Sequence, residues 1–228
     1  MLQIFIPNKN RSSIIFGKRG SGKTILIESL ILSHISLFSR IVFLMCTDDP
    51  EDYKLLRHRN DEKCSISFLK MDAEKLCELR QETQHFIKNY PEFNGRLLLV
   101  LDDPLGSNFD TKQLQAEIAE ILYNGRHYIN FIMSSQSVTR ISSDLRSNFD
   151  NVFVKYFKST QSLKNIYRTF IDGDESKLFI KKCKEMWKNN KYSSLFIDHD
   201  DELYIINHDL PIESKKKTMK ISFIMSKF

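Results

Sequence analysis

The sequence lacks several features that would place it in a particular class of protein. Its four cysteines occur without CxxC spacing or nearby paired histidines, which argues against a zinc site and against a disulfide framework. No apolar run approaches the length that crosses a bilayer, and residues 1–7 lack the basic start of a secretory signal. We therefore expect reduced thiols in a cytosolic or nuclear compartment, at Cys46, Cys64, Cys77 and Cys183.

Boundaries between domains are also lacking. No stretch rich in proline, glycine or serine divides the 228 residues, and this length is sufficient for one α/β domain with a full core. We predict a single domain over residues 1–212. Residues 213–228 are predicted as a basic C-terminal tail, although their few apolar residues would also fit a final strand.

Glycine is scarce, yet three of the seven glycines fall within six positions, at 17, 20 and 22. They belong to the segment GKRGSGKT, which lies between an apolar run and a helix-like segment. In such a phosphate loop the backbone N–H groups surround phosphate oxygens, and side chains at Gly17 or Gly22 would obstruct the turns and the close approach. Lys23 would reach the β and γ phosphates and Thr24 the magnesium ion. The predicted ligands are ATP and Mg²⁺, bound by Gly17, Lys18, Arg19, Gly20, Ser21, Gly22, Lys23 and Thr24. The alternative is a glycine-rich turn with an exposed lysine.

Apolar runs typical of strands alternate along the chain with segments of helical spacing. The predicted strands are Leu2–Ile6, Ser13–Phe16, Ile41–Cys46, Ile66–Leu69, Arg96–Leu101, Ile129–Met133, Val152–Phe157, Ser194–Asp198 and Leu203–Asn207. The third and fourth of these runs are predicted as inner strands, and the last two as a hairpin. The predicted helices are Lys23–Ile35, Ala73–Asn89, Thr111–Tyr123 and Asp174–Lys188. The order predicts an α/β fold: a P-loop NTPase three-layer sandwich of the RecA/ASCE type, with a mostly parallel central sheet flanked by helices.

Two acids follow the most apolar of the predicted strands, in the segment LLLVLDDP. This hydrophobic strand with terminal acids has the form of a Walker B element. Asp102 would hold magnesium together with Thr24, and Asp103 would orient or polarise the attacking water. The alternative is that the two acids only cap the following turn.

Polar residues next to the following strand are further candidates. Gln136 ends that strand and could contact the water or the γ-phosphate and report its presence; the alternative is an ordinary polar residue that opens a loop. Arg126, before the strand, could neutralise charge on the phosphoryl group bound by a neighbouring subunit. Arg146 is the rival for that role, and either arginine could instead be a surface ion-pair partner. His127 is expected to be a packing or hydrogen-bonding residue.

The formal net charge of +5 is mild but unevenly distributed. Lysines occur in two clusters, which allow a polyanionic partner but also fit a solvated helix face. The clustered lysines are Lys181, Lys182, Lys184, Lys188 and Lys191, and Lys215, Lys216, Lys217 and Lys220.

Four segments occur in a selective order: GKRGSGKT, LLLVLDDP, NGRHYINFIMSSQSV and DLRSNFDNVFVKYF. Together they span Ser12–Phe157 and resemble the poxvirus-type genome-packaging ATPases of large DNA viruses, a branch of the FtsK-HerA superfamily of P-loop ATPases. The resemblance implies a homo-oligomeric ring, commonly a hexamer, that hydrolyses ATP to push double-stranded DNA into a preformed capsid. It also implies capsid or portal-vertex components as partners, and a location in the host cytoplasm or nucleus at the site of virion assembly, or with the virion itself.

The resemblance implies the same roles for the site residues. Lys23 and Thr24 hold nucleotide and metal, Asp102 the metal, Gln136 is the sensor and Arg126 the first choice for the trans-acting arginine. Asp103 departs from the pattern, because superfamily members often have glutamate there and aspartate reaches less far. Candidate DNA contacts are Lys112 and the stretch Lys158–Arg168.

Three other functions are compatible with the same motifs to different degrees. A superfamily relative could move DNA in conjugation, segregation or repair with the same site chemistry. A nucleotide-dependent assembly switch could order a ring without translocation. A kinase of small molecules is disfavoured, because the usual lid arginines are not evident in the sequence.

Overall fold

Strands and helices alternate along most of the chain in the computed structural model, which describes residues 4–5, 9–46, 50–57, 63–104, 111–171, 173–198, 202–208 and 223–227. The strands in these residues are β1 (Ser12–Phe16), β2 (Arg40–Met45), β3 (Ser65–Lys70), β4 (Leu97–Asp102), β5 (Asn130–Ser135), β6 (Asn151–Val154), β7 (Ser194–Ile197), β8 (Leu203–His208) and β9 (Phe223–Lys227). The helices are α1 (Lys23–His34), α2 (Lys54–Arg57), α3 (Ala73–Asn89), α4 (Thr111–Tyr123), α5 (Ser143–Arg146), α6 (Thr160–Phe170) and α7 (Ser176–Asn189).

The described strands form one nine-stranded sheet in the order β3-β2-β4-β5-β1-β6-β7-β8-β9. β1 to β6 are parallel to one another, with β1 in the middle, paired with both β5 and β6. β7, β8 and β9 extend the sheet as antiparallel strands. The carboxyl ends of β1, β4, β5 and β6 therefore meet at one edge, which is where ligands bind to open α/β sheets.

The sheet separates two apolar cores because successive side chains of a strand point to opposite faces. In β1, Ile14 and Phe16 contribute to the core on one face, and Ile15 contributes to the other. Helices α3 to α7 cover the first face, whereas α1 and α2 cover the second. Each fully buried side chain of this size contributes about 1.5–3 kcal/mol. The layers confirm the predicted α/β three-layer sandwich with a mostly parallel sheet.

The prediction of inner strands is right for β2 and wrong for β3. Within the described residues β3 pairs only with β2 and forms one edge of the sheet. Its side chains are exposed or half-buried, whereas five of the six in β2 are buried. The apolar run Ile66–Leu69 is short, and apolar composition by itself does not distinguish a half-covered edge strand from a central strand of the sheet.

Other differences concern element ends. The strand predicted over Val152–Phe157 ends at Val154 in β6, and α6, which was not predicted, follows it. Ser159 caps α6 by accepting a hydrogen bond from the Ser162 amide at 3.3 Å. The predicted strand at residues 2–6 lies mostly outside the described residues, and its described members Ile4 and Phe5 are buried without forming a strand.

The C-terminal part contributes to the sheet. β7 and β8 pair as the predicted hairpin, and its residues 199–201 lie outside the described residues. β9, within the segment predicted as a tail or a final strand, pairs with β8. The other members of that segment, residues 213–222 and 228, lie outside the described residues. No described helix is long and apolar enough to cross a membrane.

Candidate functional site

A cavity of about 740 Å³ lies at the edge of the sheet where β1, β4 and β5 end. Its wall combines the phosphate loop and the start of α1 with residues that end or follow β2, β4 and β5 and with one residue from the turn before β7. The lining residues are Arg19, Gly20, Gly22, Lys23, Thr24, Ile25, Met45, Cys46, Asp52, Asp102, Asp103, Gln136 and Tyr192. The structure therefore brings together the two motifs and the glutamine that the sequence analysis selected.

The glycines of the phosphate loop serve different purposes. Gly20 and Gly22 have positive φ values of 71° and 85°, a conformation that strains residues with a Cβ atom. Gly22 is also the N-cap of α1. Gly17 is needed for space, because a Cβ atom there would lie 2.5 Å from Ser21 Oγ and 2.7 Å from Lys155 Cβ. The loop leads directly into α1, whose N-terminus favours anions.

Lys23 is buried at the base of the loop. Its Nζ donates hydrogen bonds to the carbonyl oxygens of Gly17 at 2.9 Å and of Lys18 at 3.4 Å. Burial lowers the pKa of the Lys23 ammonium, whereas the carboxylates of Asp103 and Asp102 act in the opposite direction. A buried cation without a full counter-charge is well suited to an anionic ligand.

Asp102 ends β4 and is held by a residue of the neighbouring strand. Ser134, in β5, donates its hydroxyl proton to Asp102 Oδ1 at 2.5 Å. Burial raises the pKa of the Asp102 carboxyl, and the hydroxyl of Ser134 partly offsets this effect. The fully buried phenol of Tyr53 also favours the carboxylate, although its geometry falls short of a full hydrogen bond.

Asp103 has a left-handed backbone conformation, with φ at 48°. Its amide donates to Ser134 Oγ at 3.0 Å, and its carbonyl oxygen accepts a hydrogen bond from Cys46 Sγ at 3.4 Å. The carboxylate accepts hydrogen bonds from the backbone amide of Gln136, at 3.3 Å to Oδ1, and from the Gln136 side-chain amide to Oδ2. The acid and the glutamine therefore form one hydrogen-bonded unit in the cavity wall.

The two candidate arginines lie outside this cavity. Arg126 is exposed in a 3₁₀ turn, Gly125–His127, just before β5 begins, so it lies at the sheet edge opposite the phosphate loop, roughly 20 Å away by strand length. His127, in the same turn, is also exposed. Arg146 is half-buried at the end of α5, and its Nη1 donates to the Val138 carbonyl oxygen at 3.2 Å. Burial lowers the pKa of Arg146. Neither arginine lines this cavity in its own subunit.

Several residues in or near the cavity were not selected from the sequence. Ser134 was not singled out in the sequence, although it contacts both Asp102 and the Asp103 amide. Lys155 lies within the segment DLRSNFDNVFVKYF but was not singled out there. Tyr53 and Tyr192 come from distant parts of the chain and carry no motif, so spacing gives no signal for them.

The oxygen ligands of the cavity fit magnesium. Asp102 supplies a carboxylate and Thr24 a hydroxyl in the same cavity wall. Among the described residues no group of three or more histidine, cysteine or acidic side chains could enclose a metal. Mg²⁺ commonly uses one or two protein oxygens together with waters and substrate phosphates, so this small set is appropriate.

The candidate DNA contacts lie on helices. Lys112 is exposed in the first turn of α4, and Lys158 and Arg168 are exposed before and within α6. The clustered lysines of α7 and the turn after it are exposed as well. The lysines of the second cluster, residues 215–220, lie outside the described residues.

With this geometry described, the chain can be compared with known proteins. The model of a protein family described as Poxvirus A32 protein matches residues 7–220. The chain belongs to this family. The predicted resemblance to poxvirus-type genome-packaging ATPases is thereby confirmed.

Two proteins of large viruses, both described as uncharacterized, are similar to this member of the A32 family. L437 of Acanthamoeba polyphaga mimivirus is 25% identical over 177 residues, which are 75% of this chain and 61% of the relative. 075L of Invertebrate iridescent virus 6 is 26% identical over 195 residues, which are 82% of this chain and 69% of the relative. The chain thus spans less than two thirds of the mimivirus protein.

Two solved structures share the fold. B204, the DNA-packaging ATPase from Sulfolobus turreted icosahedral virus, superposes with a TM-score of 0.62 at 18% identity, covering 87% of this chain and 97% of B204. The genome packaging NTPase B204 from Sulfolobus turreted icosahedral virus 2, in complex with AMPPCP, gives a TM-score of 0.60 at 18% identity, covering 88% and 98% of the two chains. The A32-family chain therefore has the fold of a viral packaging NTPase.

Proposed function

We propose that this protein is an ATP-hydrolysing motor that moves double-stranded viral DNA into a preformed capsid. The observation that carries the proposal is the convergence of the phosphate loop, Asp102 and the Asp103–Gln136 unit on one cavity. Membership of the poxvirus A32 family supports the viral context. The B204 structures, one of which contains AMPPCP, support a nucleotide in this kind of fold.

The loop and α1 bind the triphosphate. Backbone N–H groups of residues 17–24 surround the phosphate oxygens, and Lys23 exchanges its contacts with loop carbonyl oxygens for the β and γ phosphates. Thr24 and Asp102 hold Mg²⁺. When bound, this ion neutralises the charge that develops on the phosphates.

Asp103 and Gln136 act on the water. Asp103 accepts a hydrogen bond from the attacking water and orients it toward the γ-phosphorus. Gln136, which already donates to Asp103, contacts the same water or the γ-phosphate. The conformation at the end of β5 then depends on whether the γ-phosphate is present. Hydrolysis then yields ADP and inorganic phosphate.

Assembly completes the site in this proposal. The active form is a homo-oligomeric ring, commonly a hexamer in the FtsK-HerA superfamily, in which Arg126 of one subunit serves the cavity of the next. Its location at the opposite sheet edge excludes action on its own nucleotide and is compatible with action on a neighbour's. DNA phosphates contact exposed basic residues such as Lys112, Lys158 and Arg168. Capsid or portal components bind the ring at the site of virion assembly.

The deciding experiment measures the ATPase rate with and without duplex DNA at low and moderate salt, with the oligomer mass recorded in parallel. We expect DNA to raise the rate several-fold and salt to weaken this effect, because phosphate contacts release counterions. Lys23→Ala should abolish turnover, whereas Lys88→Ala, which removes an exposed lysine on α3, should not change it. Normal turnover in Lys23→Ala would contradict the site, and turnover indifferent to DNA in assembled rings would support an assembly switch.

A further inference from the structure

Tyr192 and Lys155 lie on the side of the phosphate loop away from the acids. Along the sheet edge, the acids lie at the end of β4, Gln136 follows β5, the loop follows β1 and Lys155 follows β6. Tyr192 precedes β7, which is antiparallel and therefore begins at this same edge. A triphosphate whose γ end faces the acids must direct its sugar and base to the opposite side, where Tyr192 lies.

The ring of Tyr192 is half-buried in the wall of the same cavity. A Cβ atom placed on Gly22 would lie 3.3 Å from Tyr192 Cδ1, so the ring borders the end of the loop where α1 begins. The ammonium of Lys191 lies 6.0 Å from the ring centroid, at the outer limit of a cation–π contact. An aromatic ring in this place presents a flat apolar surface beside a phosphate site.

The backbone of Tyr192 is held at both of its polar groups. Its amide donates to Asn190 Oδ1 at 3.0 Å, and its carbonyl oxygen accepts a hydrogen bond from Lys155 Nζ. The turn that carries the ring is therefore held in place without a ligand, which lowers the entropic cost of stacking against the ring.

Lys155 connects this turn to the loop. It is only 1% exposed, and its amide donates to the carbonyl oxygen of Phe16 at 2.7 Å, at the start of the loop. Its stem occupies the space that a Gly17 side chain would need, and its Cε and Nζ lie 3.6 Å from where a Gly22 Cβ atom would be. One buried side chain thus contacts both ends of the loop and the Tyr192 carbonyl.

We propose that the base of the bound nucleoside triphosphate stacks on Tyr192. Lys155 is a positioning residue in this proposal, because it holds the Tyr192 turn and the phosphate loop in fixed positions relative to each other. Aromatic rings stack on bases readily because every base has a π face. The inference depends on the proposed function in one respect, namely that the loop binds a nucleoside triphosphate.

Calorimetric titration with ATP and with inorganic tripolyphosphate tests the role of Tyr192, since only ATP carries a base. We expect Tyr192→Ala to weaken ATP binding about tenfold and to leave tripolyphosphate binding within about twofold. Tyr192→Phe, which keeps the ring, should bind both ligands as the wild type does. Tyr123→Ala, which removes an exposed ring at the end of α4, is the matched control. Equal losses for the two ligands in Tyr192→Ala, or no loss, would overturn the inference.

The role of Lys155 is tested by the ATP preference, which is the ratio of the affinity for ATP to the affinity for tripolyphosphate. Lys155→Met should weaken both ligands, because the loop loses its support, and should lower the ATP preference as Tyr192→Ala does. Adding Tyr192→Ala to Lys155→Met should then leave the preference unchanged, which a general loss of stability would not produce. An additive loss of preference in the double variant would exclude positioning through Lys155. If Lys155→Met does not fold, the same measurements are made with Lys155→Gln, which keeps a donor on a shorter stem, and an undiminished ATP preference in that variant would likewise exclude positioning through Lys155.

The same titrations separate this inference from the proposed function. A wild-type protein that binds neither ligand would contradict the nucleotide site itself. A wild-type protein that binds both, with Tyr192→Ala indistinguishable from it, would remove only the stacking role.

Discussion

At the scale of single residues, Asp103 adopts a left-handed conformation that its neighbours stabilise. The positive φ of 48° is uncommon for a residue other than glycine, although aspartate tolerates it better than most. Hydrogen bonds to Ser134 and Gln136 fix both its backbone and its carboxylate. An acid shorter than the glutamate often found in the superfamily is thus held in a defined place by the surrounding residues and not by the motif alone.

Replacing this carboxylate separates binding from chemistry. Asp103→Asn should retain ATP binding, because the phosphate loop is unchanged, and should slow hydrolysis by about 100-fold or more, a common contribution of a base at this step. Equilibrium binding and steady-state turnover measure the two effects. Asp144→Asn, at an exposed position on α5, is the control. Loss of binding in Asp103→Asn would instead indicate a structural role.

Lys155 makes folding stability depend on pH. Burial lowers its pKa from 10.5 to about 7, so between these values the unfolded chain binds a proton that the folded chain does not. Stability therefore rises with pH in this window, by up to about 1.4 kcal/mol per pH unit, and the lysine contributes no slope below about pH 7.

Comparison of denaturant unfolding in the wild type and Lys155→Met across this window measures the effect. We expect the stability of the wild type relative to Lys155→Met to rise as the pH increases from about 7 to about 10. Parallel stability curves for the two proteins would show that Lys155 keeps its ordinary pKa.

At the scale of elements, one part of the family-like sequence proves to be architectural. Asp150, in the segment DLRSNFD, precedes β6 and accepts hydrogen bonds from the Ser12 amide at 2.7 Å, the Ser12 hydroxyl at 2.8 Å and Arg11 Nη1 at 3.3 Å. It therefore fixes the start of β1 against the start of β6, at the sheet edge opposite the cavity. It therefore affects the nucleotide site indirectly, by fixing the position of β1, the strand that leads into the phosphate loop.

Removal of this carboxylate should destabilise the fold. Asp150→Ala leaves the Ser12 amide without its partner and should lower the free energy of unfolding by about 2 kcal/mol. Glu82→Ala, at an exposed position on α3, should change it by less than about 0.5 kcal/mol. Denaturant titration measures both. An unfolding midpoint of Asp150→Ala equal to that of the wild type would contradict the architectural role.

The helices that the sequence predicted best are those in which burial follows a regular pattern. The bounds of α3 and α4 agree with their predictions because each has apolar residues at helical spacing over more than three turns. α6 was missed although Leu163, Ile166, Tyr167 and Phe170 have helical spacing, because that stretch was considered only for its basic residues. Leu163, Ile166 and Tyr167 are buried only because α6 packs on the sheet next to α7.

At the scale of the whole molecule, the sheet separates the phosphate loop from Arg126. The order of strands places the loop and the acids at one edge and the turn before β5 at the other. An arginine at that distance could contribute to hydrolysis only through a second subunit. In the proposed ring, each nucleotide would lie between two copies of the chain.

Mixing two inactive variants tests this arrangement. Rings that combine Arg126→Ala subunits with Asp103→Asn subunits contain sites in which both residues are intact, so part of the ATPase activity should return. The rate is measured against the mixing ratio, with the oligomer mass monitored. Mixed rings without rescue would direct the search to Arg146, whose guanidinium is half-buried against the Val138 carbonyl oxygen.

The sequence by itself determined the phosphate loop, the two acids and Gln136, because these residues act through local backbone geometry or at strand ends, and local patterns are visible in one dimension. Only the tertiary structure decided that Ser134 and Tyr53 support Asp102, that Gln136 holds Asp103, and that Lys155 and Tyr192 border the loop. These contacts join residues far apart in the chain, and the order of strands in the sheet, which sequence spacing does not specify, brings them together.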